Sequence, residues 1–200
     1  MLASLVAAAV LGLALGRQHE VADTPCPAAF KVQFNTNIAD MDPIVLEVTT
    51  SLAPLGAQQF FDLLGDKYYD GAAFFRVVPD FVAQFGIAAD PAETAKWNTP
   101  IPDDPVVGSN TIKTMTFATA GPNTRTTQLF INYQDNSSLD AQGFAPFATV
   151  VSGWDTVLAI FNPTPGSSGG VSQPKYEKLG NPWLLEHYPG VSLIETAVLL

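Results

Sequence analysis

The stretch Phe74-Phe75-Arg76-Val77-Val78-Pro79-Asp80-Phe81-Val82-Ala83-Gln84-Phe85-Gly86 sets one arginine and one glutamine among apolar, strand-forming residues. Stripping a guanidinium of water is costly unless an acceptor meets it. Arg76, between Phe75 and Val77, therefore points to a cleft in which its charge is used. The alternative is an arginine that snorkels out of an ordinary strand, its stem lying on apolar surface.

Working outward, apolar runs of strand length and β-branched or aromatic content recur along the chain. They fall at Phe30 to Phe34, Ile44 to Thr49, Phe74 to Val78, Met115 to Ala118, Leu129 to Asn132, Thr149 to Val151 and Val191 to Leu200. Proline, glycine and asparagine punctuate them. Ala53, Ala57, Phe60, Phe61 and Leu64 recur at helical spacing, with Thr50 or Ser51 as a cap, Pro54 near the start and Gly65 at the stop. Trp154, Val157, Leu158 and Phe161 repeat that logic after Ser152 and before Pro163. Both stripes read as faces packed on a sheet. Many short strands with turn signals imply a mainly β sandwich or barrel, and the pattern alone does not separate the two. Asn162 to Pro174, rich in glycine, serine and proline, reads as a surface loop.

Composition narrows the function. Of 200 residues, 47% are hydrophobic, which supplies one substantial core, and 9 basic against 19 acidic residues give a formal charge of −10. That charge repels phosphate backbones and argues against a nucleic-acid partner. Leu2 to Leu15 is an uncharged apolar run ending at Gly16 and Arg17, too short for a stable span and suited to a signal peptide over 1–16. A linker over 17–29 and one domain over 30–200 follow, with a secretory, extracellular or periplasmic location. Cys26 is the only cysteine, so no internal disulfide is available. Asn136-Ser137-Ser138 is a glycosylation sequon if the chain enters a eukaryotic secretory pathway. His19 and His187 are the only histidines and stand far from the central motifs. No histidine cluster serves a metal or a serine nucleophile, no glycine loop cradles phosphate, and no cofactor is implied. Asp103 and Asp104, in the loop IPDDPVV, read as a solvated turn.

Two further motifs decide between the arginine's alternatives. From Thr114 the chain reads TMTFATAGPNTRTTQLFINYQ: a strand to Ala118, a Gly121-Pro122-Asn123 turn, then the apolar run Leu129-Phe130-Ile131. From Leu139 to Val157 it reads LDAQGFAPFATVVSGWDTV. Taken with FFRVVPDFVAQFG, these motifs resemble the cyclophilins, a family of peptidyl-prolyl cis/trans isomerases, over about Phe30 to Phe161. The ending GNPWLLEHYPGVSLIETAVLL resembles the tail of a bacterial-type branch.

The resemblance implies a closed eight-stranded antiparallel β-barrel capped by two α-helices, with an active groove on its outer face. It implies a monomer acting on proline-containing polypeptides. Arg76 aligns with the catalytic arginine. Phe81, Val82, Phe130 and Leu139 align with the pocket for the proline ring, and Gln84 with a glutamine that binds substrate backbone. Ala118, Thr119, Ala120 and Gln128 align with residues that bind the peptide before proline. Phe75 stands where many members have histidine and is counted with the substrate-binding residues. Thr119 replaces a frequent asparagine, and Ser138 replaces the tryptophan that contacts cyclosporin. Because rotation needs no proton transfer, losing the histidine reshapes the groove without removing the chemistry. The expectation is an isomerase of reduced activity that binds cyclosporin weakly. The alternatives are a proline-peptide-binding or chaperone module with little turnover, and an unrelated barrel carrying a small apolar ligand.

Overall fold

The computed structural model describes residues 24–200, so the leader read at 1–16 and most of the 17–29 linker lie outside the described residues. Eight strands form one antiparallel sheet: β1 Ala29–Thr36, β2 Ile44–Thr49, β3 Arg76–Val78, β4 Val82–Phe85, β5 Thr114–Phe117, β6 Leu129–Asn132, β7 Ala148–Ser152 and β8 Ile194–Leu199. Their order is β3-β4-β6-β5-β7-β2-β1-β8. Successive side chains on a strand face opposite sides. In β2 this buries Ile44, Leu46 and Val48 completely and leaves Glu47 exposed. Val32 and Phe34 of β1 enter the same core, as do Met115, Phe117, Leu129, Ile131 and Phe147. Full burial of each such side chain contributes about 1.5–3 kcal/mol.

The sheet curls strongly. Its edge strands β3 and β8 share no ladder, so the barrel is not closed strand to strand. The segments leading into them meet at a single antiparallel bridge between Ala73 and Leu193. Around it Phe74 N–H donates to Ser192 O at 2.9 Å and Ile194 N–H to Ala72 O at 2.8 Å.

The first expected helix, α1, Pro54–Gly65, packs on the core through Ala57, Phe60, Leu63 and Leu64, whereas the second, α3, is only Trp154–Leu158 and packs through Val157 and Trp154, leaving Leu158 and Phe161 of the expected stripe exposed. Neither is capped as the sequence suggested. Ala53 occupies the N-cap of α1 and Gly153 that of α3, and neither helix has a side-chain cap from its own flank. The orphan N–H groups at the start of α1 are met from a distance. Leu55 N–H donates to Asp104 Oδ1 at 3.0 Å and Gly56 N–H to Oδ2 at 2.8 Å.

That contact corrects the reading of IPDDPVV as a solvated turn. Asp104 is buried, and its Oδ2 lies 3.1 Å from Arg125 Nη1, itself only 3% exposed. Asp103 flanks the same guanidinium at 3.3 Å. A buried charge needs a partner, and the neighbouring aspartates supply it from a loop that looks polar in one dimension. The sequon asparagine is likewise internal: Asn136 Nδ2 donates to Phe81 O at 2.9 Å and to Asn132 Oδ1 at 2.8 Å.

Two helices were not expected: α2, Pro91–Lys96, and α4, Gln173–His187. Helix α4 breaks at Gly180, whose φ of 65° and close approach to Ala89 O leave no room for a side chain. With the segment 166–171 before it, α4 builds a second apolar cluster of Phe75, Ile87, Val171, Tyr176, Leu184 and Val191 beside β3. Among the described residues no helix is long and apolar enough to cross a membrane.

Candidate active site

Strand register decides which side chains meet. Arg76 stands opposite Gln84, Gln84 opposite Phe130, and Phe130 opposite Thr116, a row across β3, β4, β6 and β5. The next row, Val77, Ala83, Ile131 and Met115, alternates to the other side and lies wholly in the core. One face of this part of the sheet is therefore packed and the other carries a cation, an amide and an aromatic ring. Arg76 thus faces a cleft and does not merely snorkel from a strand.

On that outer face is a groove of two lobes. The first, of about 290 Å³, brings together Arg76, Phe81, Val82, Gln84, Phe130 and Leu139. Val82, Phe130 and Leu139 form a small apolar cluster with Phe81, Ala118 and Phe144 packed on it. The second, of about 280 Å³, is lined by Ala120, Thr124, Thr126, Gln128 and Gln173. Gln84, Ala118 and Thr119 border both lobes. Ten of the eleven residues picked from sequence thus meet in one groove.

Phe75 is the exception and is a correction. It is completely buried in the second cluster, its ring 6.3 Å from that of Tyr176, and lines neither lobe. Neighbours on an extended chain face opposite ways, so with Arg76 in the groove its predecessor turns from it. Segment 166–171 and α4 then cover it.

The Arg76 guanidinium is held by neutral acceptors. Its Nε–H donates to Ser168 O at 2.6 Å and Nη1–H to Gln84 Oε1 at 3.0 Å, while Cζ lies 5.9 Å from the Phe81 ring centroid. Among the described residues no carboxylate pairs with it. Burial pulls its pKa down from the ordinary value, yet arginine remains a cation. Among the described residues, only Nε–H and one Nη1–H of its five-donor fork are engaged in hydrogen bonds. The Ser168 contact depends on Gly170, where φ is +73° and a Cβ would fall 2.6 Å from Arg76 Cβ.

The hydrogen-bond chain continues: Gln84 Nε2–H donates to Gln128 Oε1 at 2.8 Å and Gln128 Nε2–H to Glu177 Oε1 at 3.4 Å. Thr119 uses its hydroxyl internally, on Gly121 O and Thr124 Oγ1, which fixes the Gly121-Pro122-Asn123 turn.

Five lining residues escaped the sequence reading: Thr124, Thr126, Gln142, Phe144 and Gln173. Phe144 stacks edge-on to Phe130 at 5.6 Å, and its place after Gly143 in LDAQGFAPF was the available signal. Gln142 lies beside it in the first lobe. Gln173 had no local signal, because it comes from the unexpected α4.

Comparison with known proteins agrees with this geometry. Residues 31–178 match the model of the family described as cyclophilin type peptidyl-prolyl cis-trans isomerase. A peptidyl-prolyl cis-trans isomerase of Acinetobacter baylyi is 33% identical over 172 residues, 83% of this chain and 86% of that protein. One from Schizosaccharomyces pombe is 38% identical over 117 residues, 55% of this chain and 73% of that protein. In fold, the chain is similar to the crystal structure of a Cryptosporidium parvum cyclophilin type peptidyl-prolyl cis-trans isomerase. The TM-score is 0.64 at 20% identity, covering 86% of this chain and 98% of the other. A second structure of that protein was determined in the presence of the dipeptide ala-pro. The chain belongs to the cyclophilin-type peptidyl-prolyl cis-trans isomerase family.

Proposed function

We propose that the groove accelerates rotation about X-Pro bonds in extended polypeptides and thereby assists protein folding. The barrier to be lowered is about 18–20 kcal/mol, set by conjugation between nitrogen and carbonyl. Raising the rate from roughly 0.01 to about 1000 per second requires about 7 kcal/mol of preferential binding to the twisted amide. The proline ring enters the hollow of Phe81, Val82, Phe130 and Leu139, which holds one side of the rotating bond. The preceding residues run along Ala118, Thr119 and Ala120. As the bond twists, the imide nitrogen regains its lone pair and accepts a hydrogen bond from Arg76. A charge-assisted bond of this kind contributes about 1.5–3 kcal/mol. No group needs to give up a proton.

The observation that carries this reading is the Arg76 guanidinium beside the Phe81/Phe130 hollow, fixed by Ser168 O and Gln84 and, among the described residues, unpaired with any acid. Exchange spectroscopy on a neutral proline tetrapeptide tests it: substoichiometric protein should speed cis/trans exchange by orders of magnitude, and exchange at the uncatalysed rate would refute it. A binding module with slow turnover is the second reading. It draws on Thr119, whose hydroxyl is spent on its own turn. The bridge between Ala73 and Leu193 supports a barrel that closes in solution. The apolar run at 2–15 supports export of the protein, which acts as a monomer on secreted or periplasmic substrates.

A further inference from the structure

The groove's second lobe does not end on the sheet. Its far wall is α4, where Gln173 lines the lobe and Glu177 follows one helical turn later on the same face. The Glu177 carboxylate accepts from Gln128 Nε2 at 3.4 Å, and Gln128 lines the lobe. Among the described residues Glu177 forms no ion pair. The nearby helical cation Lys175 instead lies 5.9 Å from the Trp183 ring centroid. Burial pushes the Glu177 carboxyl up from its ordinary value, so an acceptor is partly stripped of water and, among the described residues, no ion pair offsets it.

An extended peptide shows alternate side chains to the same side. With proline in the first lobe, the side chain two positions before it faces the second. We propose that Glu177 makes this lobe select lysine or arginine at that position. The lobe itself is lined by uncharged groups, among them Thr124, Thr126, Gln128 and Gln173, and Glu177 stands behind Gln128. A long cationic side chain reaches past them to the carboxylate, whereas an acidic one meets like charge. The inference rests on the peptide orientation given under Proposed function.

The test compares acetyl-Lys-Ala-Pro-Phe-amide with acetyl-Glu-Ala-Pro-Phe-amide by calorimetry at low ionic strength. The full protein should bind the lysine peptide roughly three- to tenfold more tightly. The overall charge of −10 also attracts cations, so the variants isolate the local effect. Glu177→Gln should bring the ratio to within about twofold, and Glu177→Lys should reverse it. Equal affinities in the wild type, or a ratio unchanged in both variants, overturn the proposal. Failure to accelerate exchange of a neutral proline peptide would remove the isomerase reading and leave the affinity ratio readable. Absence of binding by every proline peptide overturns both.

Discussion

Arg76 and Gln84 face each other directly across β3 and β4, and the guanidinium donates to the amide oxygen at 3.0 Å. The pair turns a two-residue register relation into a positioned cation. Gln84 in turn is oriented by Gln128.

Replacing Gln84 by leucine removes the acceptor while keeping similar bulk. With one of its two anchors gone, Arg76 should lower kcat/KM by roughly ten- to a hundredfold. Gln84 faces the groove and not the core, so the melting temperature should change little. A peptide exchange assay beside a thermal melt separates the two effects. A wild-type rate would show that Ser168 alone positions the arginine.

Asp140 supports the Leu139 wall. Burial pushes its carboxyl up, but hydrogen bonds from Ser109 Oγ, Asn110 N–H and Asn110 Nδ2 outweigh this and hold it below the ordinary 3.8. A depressed folded value means stability present above 3.8 and lost as pH falls through the folded pKa. Asp140→Asn should therefore be less stable than wild type at neutral pH, and the difference should close in strong acid. Parallel urea melts at neutral and acid pH would show this. A gap that persists unchanged in acid would contradict it.

Much of this was readable in one dimension because alternation is local. The motif around Arg76 carries its own period of two, so Val82 and Gln84 fall on the groove side and Ala83 and Phe85 in the core. Phe75 was misplaced for the opposite reason. Alignment with a family histidine outweighed the same alternation rule, and its cover of Val171 and Tyr176 comes from chain about a hundred residues away. Helix α4 was hidden because Gly180 and Pro182 interrupt its pattern. Asp104 looked solvated because its partners, Arg125 and the start of α1, are distant in sequence.

The Asp104 network gives a stability prediction. Asp104→Ala strands the buried Arg125 guanidinium and uncaps α1, so unfolding free energy should fall by about 3–5 kcal/mol. Denaturant titration measures this, and a loss under about 1 kcal/mol would mean that Asp103 takes over the pairing.

Ser138 is exposed on the short helical turn Ser137–Gln142 at the groove's rim. A serine there offers no aromatic ring, so cyclosporin should inhibit only weakly. Submicromolar inhibition would contradict this.

The central claim is that the Arg76 cation grips the twisted imide more tightly than the planar one. Exchange measurements on a proline tetrapeptide with wild type and Arg76→Ala, under saturating peptide, test it most directly. The account predicts that the variant remains folded and binds the peptide within several-fold of wild type, while its exchange rate falls by roughly a hundredfold or more. Equal rates in the two proteins would contradict it.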